Sequence, residues 1–273
     1  MLRSDEPLLV LIKGGNDVAS AVALALFAEG YRVIVLEGAS PRTVRRHMAF
    51  ASAIFEGGIT IQGVGGVRVE DPASARDLAG GGQVIPVLVA DLSEALDRLR
   101  PTIVVDARMN KQGRSDTRKA EAPLVIGLGP GFTAPHDVHL VIETNRGPHL
   151  GAAIREGAAE PYTGIPIDIE GVGRERYTYA PVAGAFRTQL DIGDSVRAGE
   201  IVGHVGEIPL TAEVSGIVRG IVKDGLSVAK GQKLVDLDPR GRPESAVTFS
   251  DRAIGIANGV IRAIAVWRGQ DGG

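Results

Sequence analysis

Short apolar runs with little alternation dominate the first half of the chain. LLVLIK (8–13), YRVIVLEG (31–38), VIPVLVA (84–90), TIVVDA (102–107), LVIGLG (124–129) and VHLVIET (138–144) are apolar at nearly every position. A strand with one wet face would alternate instead. Between the first two runs lies DVASAVALALFAEG (17–30), patterned as a helix that stops at Gly30, and SEALDRLR (93–100) is a second helical stretch. Strand, helix and strand in that order predict a βαβ unit, and strands apolar on both faces suit a parallel sheet covered by helices. Residues 1–165 are therefore expected to form a parallel-sheet α/β domain.

Beyond about residue 170 the helical period disappears, and valine- and isoleucine-rich runs punctuated by glycine read as all-β. An internal repeat lies within them. Ala180, Val182, Gly184, Gly193, Ser195, Val196 and Gly199 recur without a gap as Ala212, Val214, Gly216, Gly225, Ser227, Val228 and Gly231. Two half-motifs related this way predict a pseudo-twofold β module over 166–240. APVAGAF…LDIGDSVRAGEIVGHV and LTAEVSGIV…KDGLSVAKGQKLVDL resemble the halves of the biotinyl/lipoyl barrel-sandwich module, whose carriers hold their cofactor on a lysine in the joining hairpin. Here the joint is GEIPL (206–210), which has no lysine, so no covalent biotin or lipoate is expected and the module reads as structural or interaction-bearing. Residues 241–273 are left as a C-terminal segment whose terminal helix packs back on the α/β domain.

Composition narrows the chemistry. A formal net charge of −3 over 273 residues gives no global basic field, which argues against a dedicated nucleic-acid binder. The chain has no cysteine, so disulfides, thiolate metal sites and thiol nucleophiles are excluded and a cytoplasmic setting fits. The opening MLRSDEPLLVLIKGG has a short apolar run broken by Lys13 and does not make a signal peptide, and no stretch is long and apolar enough for a membrane span.

Candidate anion-binding residues sit at the strand ends. KGGNDVASAV follows the first strand and opens a helix, the place where a Rossmann fold binds pyrophosphate on free backbone N–H groups. Gly14, Gly15, Asn16 and Asp17 do not spell the full G-x-G-x-x-G, Asp17 has the chemistry of a helix cap, and Glu37 ends the next strand where an acidic residue grips a ribose. These residues fit either a dinucleotide site or a Rossmann-like scaffold with a capped helix. In SPRTVRRHMAF (40–50) Pro41 opens a predicted helix, whose Arg45 and Arg46 either complement a phosphate at the first glycine turn or form a solvated face. GLGPGF places Gly127, Gly129 and Gly131 after a predicted strand, with Asn145 and Arg146 at the end of the next. That corner suits a ligand at the carboxyl edge of the sheet or a rigid packing corner. His136 and His139 would point to opposite faces of a strand with no third ligand nearby, so no metal site is expected.

Over nearly its whole length the chain resembles the YqeB-like proteins, accessory factors of selenium-dependent molybdenum hydroxylase systems distantly akin to XdhC-type maturation factors. The resemblance rests on VLIKGGNDVASAVALALFAEGYRVIV, VRRHMAFASAIFEGGITIQGV, IPVLV, VVDARM, APLVIGLGPGFTAPHDVHLVIETNRGPHLG and GAAEPYTGIP, together with the repeat. It implies an α/β fold with a Rossmann-like parallel-sheet N-terminal domain followed by a barrel-sandwich (biotinyl/lipoyl-like) β module. It also implies maturation of a molybdenum hydroxylase, with a molybdenum cofactor, a nucleotide or another phosphate-bearing small molecule as ligand and the client hydroxylase as partner. Asn16 departs from the Gly-Ala-Gly-Asp of many relatives and puts a side chain where backbone would approach phosphate. A nucleotide- or NAD(P)-dependent enzyme and a structural adaptor using the β module are the rival expectations.

Overall fold

The computed structural model of the chain describes residues 7–109 and 115–270. It forms two compact units, one spanning Met1–Ala39, Phe50–Tyr162 and Phe249–Gly273, the other Ser40–Ala49 and Thr163–Thr248. No helix among the described residues is long and apolar enough to cross a membrane.

The first unit contains β1 (Leu9–Lys13), α1 (Asp17–Ala28), β2 (Arg32–Leu36), α2 (Ala53–Glu56), β3 (Gly58–Ile61), β4 (Val64–Val69), α3 (Pro72–Gly81), β5 (Val84–Leu88), α4 (Leu92–Leu99), β6 (Ile103–Asp106), β7 (Leu124–Leu128), β8 (Leu140–Ile142), β9 (Ala153–Ile154) and α5 (Asp251–Gln270). Among the described residues its strands form one sheet in the order β3-β4-β5-β2-β1-β6-β7-β8-β9. From β4 through β8 all neighbours are parallel, whereas β3 and β9 add antiparallel edges. Leu9, Leu11, Ile34, Leu36 and Leu88 pack with Ala75, Ala79, Ala95 and Leu99 of α3 and α4 into one buried layer. The alternate side chains Val10, Ile12, Val33 and Val35 are also fully or almost fully buried, as expected of a sheet covered on both faces. Small residues on α5 allow close packing within this unit: a Cβ on Gly259 would lie 2.4 Å from the Gly151 carbonyl oxygen.

The second unit is built from β10 (Tyr177–Tyr179), β11 (Gly184–Arg187), β12 (Ser195–Val196), β13 (Ile201–Val205), β14 (Ile208–Thr211), β15 (Gly216–Ile221), β16 (Ser227–Val228) and β17 (Lys233–Asp238). They form two four-stranded sheets, β10-β17-β15-β12 and β14-β13-β11-β16. The repeat is visible as reciprocal backbone bonds. Gly193 donates to Val218 O and Gly225 to Phe186 O, while Gly199 donates to Ala212 O and Gly231 to Ala180 O, all at 2.8 Å. Each half thereby lends its short strand, β12 or β16, to the sheet of the other.

The expected fold class, a Rossmann-like parallel-sheet domain followed by a biotinyl/lipoyl-like barrel-sandwich, is corrected on both counts: the chain forms a large mixed sheet and two separate antiparallel sheets. In the first unit the glycine-rich hairpin was not legible as strands. Gln62 and Gly63 both take positive φ, 49° and 83°, the geometry of a two-residue hairpin turn. Gly66 is required there because a Cβ would lie 2.4 Å from the Phe50 ring. In the second unit β10 and β14 add edge strands outside the repeat, and the segment 40–49 joins them. The helix expected after Pro41 is only a 3-10 turn at Arg46–Met48. Val44 O accepts from the Ile221 N–H at 2.8 Å, so the backbone there follows β15 instead of coiling.

Chain order reverses at β1, running outward through β2 and β5 on one side and through β6, β7 and β8 on the other. Open α/β sheets hold ligands at the carboxyl ends of strands beside such a reversal. In this protein its own side chains fill that place. Lys13 and Asp106, each 2% exposed, end β1 and β6. The Asp106 Oδ1 accepts from the Arg108 backbone N–H and Nε, both at 3.1 Å, and Oδ2 accepts from Arg108 Nη2 and the Ser115 and Thr117 hydroxyls at 2.6, 3.0 and 2.6 Å. Lys13 donates to Thr117 Oγ1 and, at 3.2 Å, to Glu121 Oε2.

Burial pushes the Asp106 carboxyl up, but the Arg108 bonds and charge and the Thr117 hydroxyl outweigh it and leave the group below the usual carboxylate value. A lowered carboxyl adds stability that is fully present above its unfolded pKa, near 3.8, and lost as pH falls through the folded value. Asp106→Asn is therefore expected to lose about 3 kcal/mol at neutral pH, or roughly 6–12 °C in the unfolding midpoint. Thermal scans from pH 8 to 3 should show that gap constant above about pH 4 and narrowing below it. A gap that ignored pH would show that the carboxylate charge is not what holds the network. In the second unit the turn joining β13 and β14 is Gly206-Glu207, without a lysine. Intact mass of protein made in a host competent for biotin and lipoate attachment is expected to match the bare sequence, and an added biotinyl or lipoyl mass would contradict it.

Candidate functional site

The first glycine turn closes on itself. Gly14 donates its N–H to Leu36 O at 2.8 Å, and Gly15 donates to Glu37 Oε2 at 2.8 Å. The other Glu37 oxygen accepts from the Gly38 N–H at 2.7 Å. Asn16 rather than Asp17 caps α1: its Oδ1 accepts from the Val18 and Ala19 N–H groups at 3.0 Å, and its Nδ2 donates to Ala107 O at 2.8 Å. A Cβ on Gly15 would come 2.8 Å from the Ala51 nitrogen, so this glycine admits a neighbouring stretch of chain. The donors that a pyrophosphate would use are thus satisfied by an amide side chain and a carboxylate of the protein. Gly14, Gly15, Asn16, Asp17 and Glu37 do come together, as a capped turn.

GLGPGF is a corner shaped by packing. A Cβ on Gly127 would lie 2.4 Å from the Phe132 ring, and one on Gly129 would lie 2.5 Å from Thr144 Oγ1. Gly129 and Gly131 take φ of 78° and 101°, and the Gly129 N–H donates to Ile142 O at 2.9 Å. Arg45 and Arg46 belong to the second unit and act there. Arg45 Nη2 donates to the carbonyls of Ser245 and Thr248 at 3.1 and 2.7 Å, and Arg46 donates to Ile221 O and pairs with Asp191. Both glycine turns belong to the first unit, whereas Arg45 and Arg46 make these bonds within the second.

What the carboxyl ends of β7 and β8 do assemble is a small cavity. Met109, Leu128, Pro130, Thr144, Asn145, Tyr162 and Arg252 line a small hollow that is partly open to solvent. Met109 reaches its place through a left-handed backbone, φ 57°, directly after Arg108, whose backbone and side chain are held by Asp106. Glu143, 3% exposed, organises the β8 end: Oε1 accepts from the Thr144 and Asn145 N–H groups at 2.7 Å and Oε2 from the Glu160 N–H at 2.8 Å. Asn145 Nδ2 donates to Glu160 Oε2 and Pro161 O, both at 3.2 Å.

Arg252 is the cavity residue that the sequence did not reveal. It stands in the first turn of α5, after a Ser250 hydroxyl that accepts from the Ala253 N–H at 3.2 Å. Its Nε donates to Thr144 O at 2.6 Å, and among the described residues no carboxylate hydrogen-bonds to its guanidinium. Burial, then the charge of Arg146, push it below the usual guanidinium value, against the pull of Asp17, Tyr162 and Glu143. A cation at the positive end of a helix is locally unfavourable, and that conflict within SDRAIG was the available signal. Of the residues expected at a ligand site, Asn145 lines this cavity and Arg146 acts on it electrostatically.

The two histidines have separate roles. His139 Nδ1 accepts from the Val125 N–H at 2.9 Å, while His136 is exposed beside Asp137. Among the described residues no three His, Cys, Asp or Glu side chains gather as a metal ion would need.

No family model matches the chain. It is 43% identical over 256 residues to the uncharacterized protein YqeB of Escherichia coli strain K12, an alignment covering 94% of this chain and 47% of that protein. Among solved structures it is similar to a succinylglutamate desuccinylase/aspartoacylase from Rhodobacter sphaeroides, at 23% identity, 30% of this chain, 29% of that one and a TM-score of 0.22. It is also similar to the product-bound ectoine utilization protein EutE (DoeB) from Ruegeria pomeroyi, at 12% identity, 84% and 56% of the two chains and a TM-score of 0.24. A third is an aspartoacylase family protein from Mesorhizobium loti MAFF303099, at 12% identity, 85% of each chain and a TM-score of 0.25. The expectation of a selenium-dependent molybdenum hydroxylase maturation factor is corrected: the solved structures that the chain is similar to are aspartoacylase, desuccinylase and ectoine utilization proteins. Scores this low leave the chemistry of this chain to be argued from its own residues. The chain spans about half the length of the curated relative it matches, and over nearly the whole of its own length it is YqeB-like.

Proposed function

We propose that the first unit binds a small anion-bearing molecule in the cavity at the carboxyl ends of β7 and β8, with Arg252 as the anchoring cation. The observation that carries this reading is the placement of that guanidinium. It is largely buried, sits at the positive end of a 20-residue helix, feels the charge of Arg146 and has no directly bonded carboxylate among the described residues. Burying a charge without a partner is unfavourable by several kcal/mol, and an arriving anion relieves that. The surroundings suit ligand capture: a concave surface, an apolar wall and a few convergent polar groups at the edge where α/β sheets take ligands. The lack of cysteine suits a cytoplasmic setting for this activity.

The reading is tested by thermal unfolding of the purified chain with a panel of small carboxylates and phosphates at constant ionic strength. A ligand at about 100 times its Kd stabilises the folded state by about 2.7 kcal/mol. At least one anion should therefore raise the wild-type midpoint by about 5 °C or more. Arg252→Gln should remove that rise while Arg252→Lys keeps part of it. Equal shifts in wild type and Arg252→Gln, or no shift with any anion, would overturn the proposal.

A further inference from the structure

We infer that the ligand of this cavity is a short-chain carboxylic acid, held end-on by the two Nη groups of Arg252. The inference rests on the anion-binding reading of the same cavity and adds the chemical class and the mode of capture. A guanidinium can offer an oxyanion either its side edge, Nε with one Nη, or its end, Nη1 with Nη2. The side edge is taken, because Nε–H already donates to Thr144 O at 2.6 Å. The end remains, and its two parallel N–H groups match the two oxygens of a planar carboxylate.

The neighbouring backbone donors discriminate against phosphate. A phosphate site gathers several free N–H groups, commonly from a glycine turn or a helix start. Around this cavity the Gly129 N–H is bonded to Ile142 O, and the Thr144 and Asn145 N–H groups are bonded to Glu143. The three donors that would make a nest are thus committed to the protein. Met109, Leu128 and Pro130 supply apolar lining alongside the polar Thr144, Asn145 and Arg252, a combination that suits an acid with a hydrocarbon body.

The experiment titrates the full chain with butanoate, butyl phosphate and butanamide, three probes that share a four-carbon scale and differ in the head group, and follows binding by NMR shift perturbation. Butanoate is expected to bind at least tenfold more tightly than butyl phosphate, and butanamide not to bind measurably. Arg252→Lys, which keeps the charge and loses the fork, should weaken butanoate about tenfold while leaving the unfolding midpoint without ligand close to wild type. Should Arg252→Lys fold poorly, a crystal of the wild type with butanoate decides the same point, with the carboxylate expected across the Nη edge. Tighter binding of butyl phosphate would overturn the carboxylate inference and leave the anion-binding reading standing. Failure of both anions to bind, or equal binding of butanoate and butanamide, would overturn the reading beneath it as well.

Discussion

The carboxylate of Asp106 is the constraint on which the carboxyl edge of the sheet depends. It ends a strand buried on both faces, and at 2% exposure it cannot be left to water. Its two oxygens take five protein donors, from Arg108, Ser115 and Thr117, and through Thr117 they reach Lys13 at the end of β1. That network closes the sheet beside the β1 reversal, where an open α/β fold would otherwise present a crevice. It also fixes Arg108 from both backbone and side chain, and so sets the left-handed Met109 that walls the cavity one strand further along.

This arrangement leaves the proposed ligand edge at β7 and β8 instead of β1. A glycine turn after the first strand is the usual place for phosphate, and here each of its donors meets a protein acceptor: Leu36 O for Gly14, Glu37 for Gly15, Asn16 for the start of α1. The same residue types that advertise a phosphate site in sequence therefore satisfy one another in the fold. Glycine at Gly15 and Gly127 answers to the close approach of Ala51 and Phe132, which are remote contacts that no local pattern reveals.

The legible part of the fold was the part written in local periodicity. The runs at 8–13, 31–38, 84–90, 102–107, 124–129 and 138–144 became β1, β2, β5, β6, β7 and β8, and the repeat at 180–231 became strands with reciprocal bonds. What escaped were features decided by tertiary partners. Gly66 of β4 is glycine because Phe50 lies against it, and Arg45 and Arg46 look like a basic helix start but are drawn to carbonyls at Ile221, Ser245 and Thr248. At the candidate site Asn145 and Arg146 were legible from their place after a strand end. Arg252 was not, because more than a hundred residues separate it in sequence from the Thr144 carbonyl that holds it.

Arg252 shows how a residue can oppose every local preference and still be fixed by the fold. The helix dipole, burial and Arg146 all act against its charge, and only one neutral carbonyl and the more distant fields of Asp17, Tyr162 and Glu143 act for it. Glu143 would be the natural counter-ion, yet its oxygens are committed to the N–H groups of Thr144, Asn145 and Glu160. Had the fold required only stability at this position, an apolar side chain at the start of α5 would avoid the desolvation of a cation altogether. The guanidinium is instead held at the rim of a cavity with its Nε anchored, so the loss of rotamer freedom on meeting an anion is already met in the unliganded fold. The proposed anion site depends on preorganisation of that kind, which follows from two backbone features: the carboxyl end of β8 and the start of α5.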